Sequence, residues 1–291
     1  MTDQRAFLAV DWGTTNRRVY RIVGGIVEQE ERDDRGILAV GQGGFASEAA
    51  AIRARMDDLP MLCAGMVGSN RGWIEVPYVD CPADLASVAA GVAWVEPGRT
   101  AIVPGVARRG SDHSDVMRGE EVQLLGAVAA RLVPENSLLC QPGTHCKWAM
   151  MAGGSIASFA TAMTGELFAL LQHHSLLAAQ MNDTIAPNDD FRRGVRDSAD
   201  GVLLTRLFGV RADFVTGRRG PTAAAYVSGL LIGTDVRAQV CDRAGEVFVL
   251  ADTTLGGLYA AAIEGAGARA HLIDSHAAFV SGITSIWNTL S

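Results

Sequence analysis

The pattern that most limits how this chain can fold occurs twice. Near the N-terminus a short apolar run, Phe7 to Val10, leads into Asp11-Trp12-Gly13-Thr14-Thr15-Asn16. A second run, Val19 to Val23, then turns at Gly24-Gly25 into Ile26-Val27. From Ser137 the arrangement begins again: a strand to Cys140, a loop at Gly143-Thr144, then residues 147–152 and 155–160 paired across Gly153-Gly154. Strand, Gly-Thr loop and hairpin, repeated within one chain, predict a duplicated α/β architecture with a cleft between its halves. The halves are not similar residue by residue, so the repeat is one of pattern.

Between and after these openings the apolar spacing predicts the remaining elements. A helix is expected at about 46–58, a buried strand at Met61 to Ala64 and another at Ala101 to Val103. A polar loop with Arg108, Arg109, Asp112, His113 and Asp115 follows. From Gly119 the residues Val122, Leu124, Leu125, Val128 and Leu132 fall at helical intervals until Pro134. In the second half, helices are expected at 165–177, 199–208, 222–240, near 256–266 and at 276–289, with strands at 246–251 and 270–273.

With 291 residues and 48% hydrophobic content, the chain is long enough for two domains, each with its own core. The expected boundaries are 1–132 and 133–291, the last helix (276–291) crossing back at the interface. A net charge of −7 argues against a nucleic-acid or anionic-membrane surface. No uninterrupted apolar stretch approaches the roughly 18 residues of a membrane span, and the few apolar residues before Asp11 are too short for a secretory signal. Five cysteines without CxxC spacing read as reduced, buried thiols, which points to the cytoplasm.

The two Gly-Thr loops suggest what the architecture is for. Phosphate chains need backbone N–H groups that can come close, and glycine permits this while threonine hydroxyls add donors. Gly13, Thr14 and Thr15 supply both, and Asp11 adds a carboxylate suited to hold Mg²⁺ through water. Gly143 and Thr144 form a second clamp, accompanied by Lys147. That residue is the only lysine in the chain, the other 24 of its 25 basic residues being arginine. Lysine is a compact point charge and arginine a planar fork, so the exception falls where a phosphate would want it. Taken singly, each loop could equally be an ordinary hairpin turn.

Asp11-Trp12-Gly13-Thr14-Thr15 resembles the first phosphate motif of the actin, Hsp70 and sugar-kinase superfamily, and the segment around Gly143 resembles the second. More narrowly, five segments resemble the 2-dehydro-3-deoxygalactonokinase family and stand in its order. They are Ala64-Gly65-Met66-Val67-Gly68-Ser69-Asn70, Met117-Arg118-Gly119-Glu120-Glu121, Pro142-Gly143-Thr144-His145-Cys146-Lys147-Trp148, Thr164-Gly165-Glu166 and Ser228-Gly229-Leu230-Leu231-Ile232-Gly233. The resemblance implies two actin-like (ribonuclease H-like) ATPase domains around a central cleft. It also implies ATP and Mg²⁺ as cofactors, and phosphorylation of the 6-hydroxyl of 2-dehydro-3-deoxy-D-galactonate.

In related carbohydrate kinases a Gly-Asp pair opens a cleft helix and the aspartate is the base. The matching position here is Glu120, one methylene longer, so Glu121 and Asp115 stay open as alternatives; both glutamates also suit a helix N-terminus. The proposed catalytic set is therefore Glu120, Asp11 and Lys147. The carboxylate of a sugar acid needs opposing donors, for which Arg118, Ser69 and Asn70 are chosen, with Arg17, Arg18 and Arg71 as competitors. The adenosine end is expected where the strand at 247–251 meets Asp252. The alternatives carried forward are a kinase for another sugar acid, such as 2-dehydro-3-deoxygluconate, and a non-catalytic sensor on the same fold. Oligomeric state, a homodimer included, stays open.

Overall fold

A computed structural model describes residues 6–41, 43–110, 113–220, 222–240 and 245–290. They divide into two compact units. The first holds the chain up to Asn136, Met150–Phe159 and the segment from Ser275 onward; the second holds Ser137–Ala149 and Ala160–Asp274.

The first unit opens with β1 (Phe7–Trp12), β2 (Arg17–Val23) and β3 (Ile26–Asp33). Then come α1 (Ile37–Val40), α2 (Phe45–Arg55), β4 (Met61–Ala64), β5 (Val79–Asp80), α3 (Leu85–Ala90) and β6 (Ala93–Glu96). It continues with β7 (Thr100–Ile102), β8 (Val106–Arg109), β9 (Ser114–Met117) and α4 (Glu120–Ala129). Its main sheet has the order β3-β2-β1-β4-β7-β6, with β1, β4 and β7 parallel at the centre and antiparallel strands on both flanks. The central strands are short continuous apolar runs because both of their faces are covered.

The second unit contains β10 (Ser137–Gln141), β11 (Cys146–Ala152), β12 (Ser155–Ala162), α5 (Thr164–His174), α6 (Asp189–Asp197) and α7 (Leu203–Val215). It is completed by α8 (Ala224–Val240), β13 (Glu246–Leu250), α9 (Thr253–Gly265) and β14 (Arg269–Ile273), while the tip of the β11–β12 hairpin, Met150–Phe159, is counted with the first unit. Its sheet order is β12-β11-β10-β13-β14, with β10, β13 and β14 parallel. Helices α6 and α8 cross backbone to backbone. A Cβ on Gly229 would collide with the Phe191 carbonyl, and one on Gly194 with the Tyr226 carbonyl. That crossing accounts for Gly229 in the Ser228–Gly233 segment.

The closing helix α10 (Ser275–Leu290) belongs to the first unit, where it packs on α4. Here again glycines set the distance: a Cβ on Gly126 would strike the Ala278 carbonyl, and one on Gly282 the Val122 carbonyl. Phe279, Ile283, Ile286 and Trp287 are buried from this helix, and Trp287 stacks on Phe7 at 4.9 Å between ring centroids.

Two expectations need correction, and one pair of elements goes unread in the sequence. The segment expected as a polar loop is an antiparallel pair, β8 with β9, beside the short β5; Asp112 lies outside the described residues. The single helix expected at 199–208 is replaced by α6 and α7. Asn188 caps the first of these by accepting the Phe191 N–H at 3.0 Å, and the left-handed Gly201 (φ 72°) separates the two. The strand and helix at 85–96 were missed, although Asp84 and Ser87 form a reciprocal capping box at their start. No described helix is long and apolar enough to cross a membrane.

Candidate active site

In the first unit the chain is drawn together at one end of the parallel strands. The loop after β1 closes with the Gly13 N–H donating to the Asn16 carbonyl at 3.0 Å. Helix α1 seals its underside. The N–H groups of Gly36, Ile37 and Leu38 donate to the carbonyls of Thr15, Gly13 and Thr14, which leaves Thr14, Thr15 and Asn16 exposed. Gly36 is obligatory in this seat, since a Cβ there would collide with Thr14 and Thr15 backbone. Trp12 anchors the loop from below, donating its indole N–H to the Arg35 carbonyl at 3.0 Å.

Arg17 lies over the Trp12 ring, buried and paired with Asp33 at 2.6 Å and Glu48 at 3.0 Å. It serves the fold, which removes it from the contenders for a substrate carboxylate. Arg71 is exposed.

Asp11 keeps part of its surface open, yet burial and the neighbouring Glu120 push its carboxyl up to about 6, against the opposing pull of Arg18. An oxygen donor surrounded by too little positive charge fits a hard divalent cation, so the residues present are suited to Mg²⁺. Among the described residues no group of three His, Cys, Asp or Glu side chains is arranged to hold a metal by itself.

The two glutamates opening α4 part ways. Glu120 is half-buried and its carboxylate accepts the Arg118 N–H at 3.0 Å. Glu121 is sealed in the core, both of its oxygens accepting the Gly119 N–H at 2.8 and 2.7 Å. Burial, reinforced by Glu120, pushes its carboxyl up to about 8. Asp115 sits on β9 with its carboxylate accepting its neighbour's Val116 N–H.

Ser69 and Asn70 come together in a cavity with Phe45, Trp73, Ile74 and Glu75. Ser69 Oγ donates to the Met66 carbonyl at 2.7 Å, and Asn70 is exposed. Arg118 is not among the lining residues. It lies behind Gly68, donating Nη2 to the Val76 carbonyl at 2.7 Å, with its guanidinium 4.2 Å from the Tyr78 ring centroid. Its Nε and Nη1 have no partner among the described residues.

In the second unit, Gly143, Thr144 and His145 form the exposed loop between β10 and β11. The start of α5 supports it: the Glu166 N–H donates to the Thr144 carbonyl at 2.9 Å, and a Cβ on Gly165 would collide with the Gly143 carbonyl. Lys147 lies on β11, buried, with Nζ donating to Thr161 Oγ1 at 2.9 Å. Asp252 caps α9, accepting the N–H groups of Thr254 and Leu255 at 2.8 and 3.0 Å. Beside the loop is a mainly apolar cavity whose lining includes Gly143, Gly165, Phe168, Leu231, Leu255 and Tyr259.

Sequence reasoning missed the buried Asp235 on α8. Its carboxylate accepts the Trp148 indole N–H at 2.9 Å, the Thr164 hydroxyl at 2.8 Å and the Tyr259 hydroxyl at 2.9 Å. The signal was an acid placed among Ile232, Gly233 and Val236 on an otherwise apolar helix.

Two mixed sheets, each opening on strand, Gly-Thr loop and hairpin, make this an actin-like ATPase fold. In fold alone the chain is similar to component A of the (R)-2-hydroxyglutaryl-CoA dehydratase of Acidaminococcus fermentans. The TM-score is 0.51 at 13% identity, over 99% of this chain and 100% of that one. The chain belongs to the 2-keto-3-deoxy-galactonokinase family, whose sequence profile matches residues 11–286. It is 35% identical over 287 residues to the 2-dehydro-3-deoxygalactonokinase of Escherichia coli K12, covering 96% of this chain and 97% of that protein. A Rhizobium meliloti relative named as a probable 2-dehydro-3-deoxygalactonokinase, DgoK1, is 36% identical over 306 residues, 98% of this chain and 97% of that protein. The crystal structure of a Sinorhizobium meliloti protein assigned to the same activity has a TM-score of 0.89 at 35% identity, covering 96% and 97% of the two chains. A carbohydrate kinase implies ATP as the phosphoryl donor.

Proposed function

We propose that this chain transfers the γ-phosphoryl group of ATP to the 6-hydroxyl of 2-dehydro-3-deoxy-D-galactonate, with Glu120 as the base. The observation that carries the assignment is the contrast between adjacent carboxyls. Glu120 is accessible at the mouth of α4 and close enough to Asp11 to perturb it, whereas Glu121 is sealed. Glu120 takes the hydroxyl proton as the oxygen attacks the γ-phosphorus, and the bond to the ADP oxygen breaks.

Asp11 would hold Mg²⁺ through water, and the ion would neutralise phosphate charge. In each unit an exposed loop, Gly13-Thr14-Thr15 in the first and Gly143-Thr144 in the second, offers N–H and hydroxyl donors of the kind phosphate groups accept. Lys147 stiffens the second loop from within β11 and adds a positive charge behind it. The apolar cavity beside Gly143 suits an adenine ring, with Asp252 at its α9 side. Ser69 and Asn70 bind sugar hydroxyls. Arg118, buried behind Gly68 and outside the lining of that cavity, contributes its positive charge from behind, its Nε and Nη1 being unpaired among the described residues. The partner is thus a small sugar acid.

The test is ADP release from ATP-Mg²⁺ with 2-dehydro-3-deoxygalactonate, its gluconate epimer and plain hexoses, for wild type and Glu120→Gln. Turnover confined to the galactonate compound and lost by 10²-fold or more in the variant is expected. ATP binding without turnover on any sugar acid would favour the sensor instead.

A further inference from the structure

We infer that Asp235 is a positioning residue for the nucleotide, fixing the second phosphate loop and one wall of the cavity beside it from within α8. The inference rests on the kinase reading above. Asp235 is 7% exposed, and its three donors come from three separate segments. Trp148 lies on β11, three residues beyond the loop at 143–145. Thr164 begins α5, and the next two residues, Gly165 and Glu166, form the seat of Gly143 and Thr144. Tyr259 comes from α9. Thr164 and Tyr259 also line the apolar cavity together with Gly143 and Gly165. One carboxylate therefore sets the spacing of strand, helix start and cavity wall.

The chemistry of the network favours placement over simple core filling. A buried carboxylate is costly, and burial raises the proton affinity of Asp235, while the hydrogen bonds from Thr164, Tyr259 and Trp148 oppose that rise. Among the described residues no cationic side chain hydrogen-bonds to its oxygens. An apolar residue would fill the same volume without that cost. What an apolar residue could not do is hold three hydrogen-bonding groups at fixed directions. The Trp148 indole can only donate, whereas the two hydroxyls can also accept. An asparagine with its oxygen toward Trp148 therefore preserves every contact by reversing the other two, whereas an alanine preserves none. Cys140 and Cys146 flank the loop with sulfurs 3.6 Å apart and complete a buried polar layer beneath it.

The experiment compares wild type with Asp235→Ala, Asp235→Asn and Tyr259→Phe. Steady-state constants for ATP and for 2-dehydro-3-deoxygalactonate are measured alongside ATP binding by titration calorimetry and melting temperature. The expected result is an ATP KM raised about tenfold in Asp235→Ala and several-fold in Tyr259→Phe, with the sugar-acid KM unchanged. Asp235→Asn should stay within about threefold of wild type. Should Asp235→Ala not fold, Tyr259→Phe, which keeps the ring and its packing, carries the comparison. Lower melting temperatures with both KM values unmoved, or both KM values rising together, would overturn the inference. If wild type binds ATP but phosphorylates nothing, the kinase reading fails, and the calorimetric affinities still decide the role of Asp235.

Discussion

Gly119 and Gly65 touch backbone to backbone: a Cβ on Gly119 would stand 3.1 Å from the Gly65 Cα. Both glycines have positive φ, 109° and 92°, and a Cβ on Gly65 would come within 2.9 Å of the Trp12 carbonyl oxygen. The ends of β1 and β4 and the start of α4 are thus pressed together, which brings Glu120 beside Asp11. Gly119→Ala forces a side chain into a conformation that costs about 1–2 kcal/mol and pushes α4 away. We expect kcat to fall at least tenfold while melting drops by only a few degrees, read from ADP release and a thermal scan.

Glu121 should tie stability to pH. Its folded carboxyl titrates at about 8, against 4.5 as the ordinary value, so between those limits the native state holds a proton that the unfolded chain releases. Stability from this group is complete below about pH 4.5 and is lost as pH rises toward 8. Glu121→Gln keeps an acceptor for the Gly119 N–H without a charge to bury. The melting temperature of the variant relative to wild type should climb between pH 5 and 8; a constant difference would refute this.

Asp11 titrates at about 6, raised by burial and by Glu120, so a cation there must first displace a proton. The Mg²⁺ concentration for half-maximal turnover should fall about tenfold per pH unit below 6 and level off above it. Asp11→Asn should flatten this dependence and cut kcat. The check is a Mg²⁺ titration of the initial rate at several pH values.

At the α4–α10 crossing, Gly282 faces the Val122 carbonyl and Gly126 faces Ala278 and Gly282. Gly282→Val must separate the helices, at about 3 kcal/mol or more by analogy with overpacked cores. Denaturant melts of the variant should show a lower midpoint with an unchanged slope.

The strands and their loops were legible because the fold writes them locally. Phe7 to Trp12 and Met61 to Ala64 are apolar runs bounded by turn formers, and the Gly-Thr loops stand out for the same reason. Elements stabilised by tertiary cover were harder to read. The segment at 106–117 is polar in its second half and pairs as strands because a neighbouring strand, β5, supplies partners. The Asn188 cap and the Asp84–Ser87 box were present in the sequence as ordinary polar residues, informative only once a helix was suspected behind them. Among the candidate site residues, Asp11 and Glu120 are proposed from motif position alone. The commitment of Arg17 to Asp33 and Glu48 was invisible, because its partners lie 16 and 31 residues away. Asp235 was hidden likewise: Trp148, 87 residues earlier, and Thr164, 71 earlier, give no local trace of the acid they address.

The placement of α10 has a consequence for how the protein comes off the ribosome. Phe279, Ile283, Ile286 and Trp287 fill the same unit as Phe7, which is made some 270 residues earlier. The second unit therefore has all of its chain by Asp274, while the first still lacks a wall. During synthesis the N-terminal half must wait with the α4 face uncovered, exposing Gly126 and its apolar neighbours until the last helix emerges. The order of completion is the reverse of the order of translation, and this waiting interval is where a chaperone would find its grip.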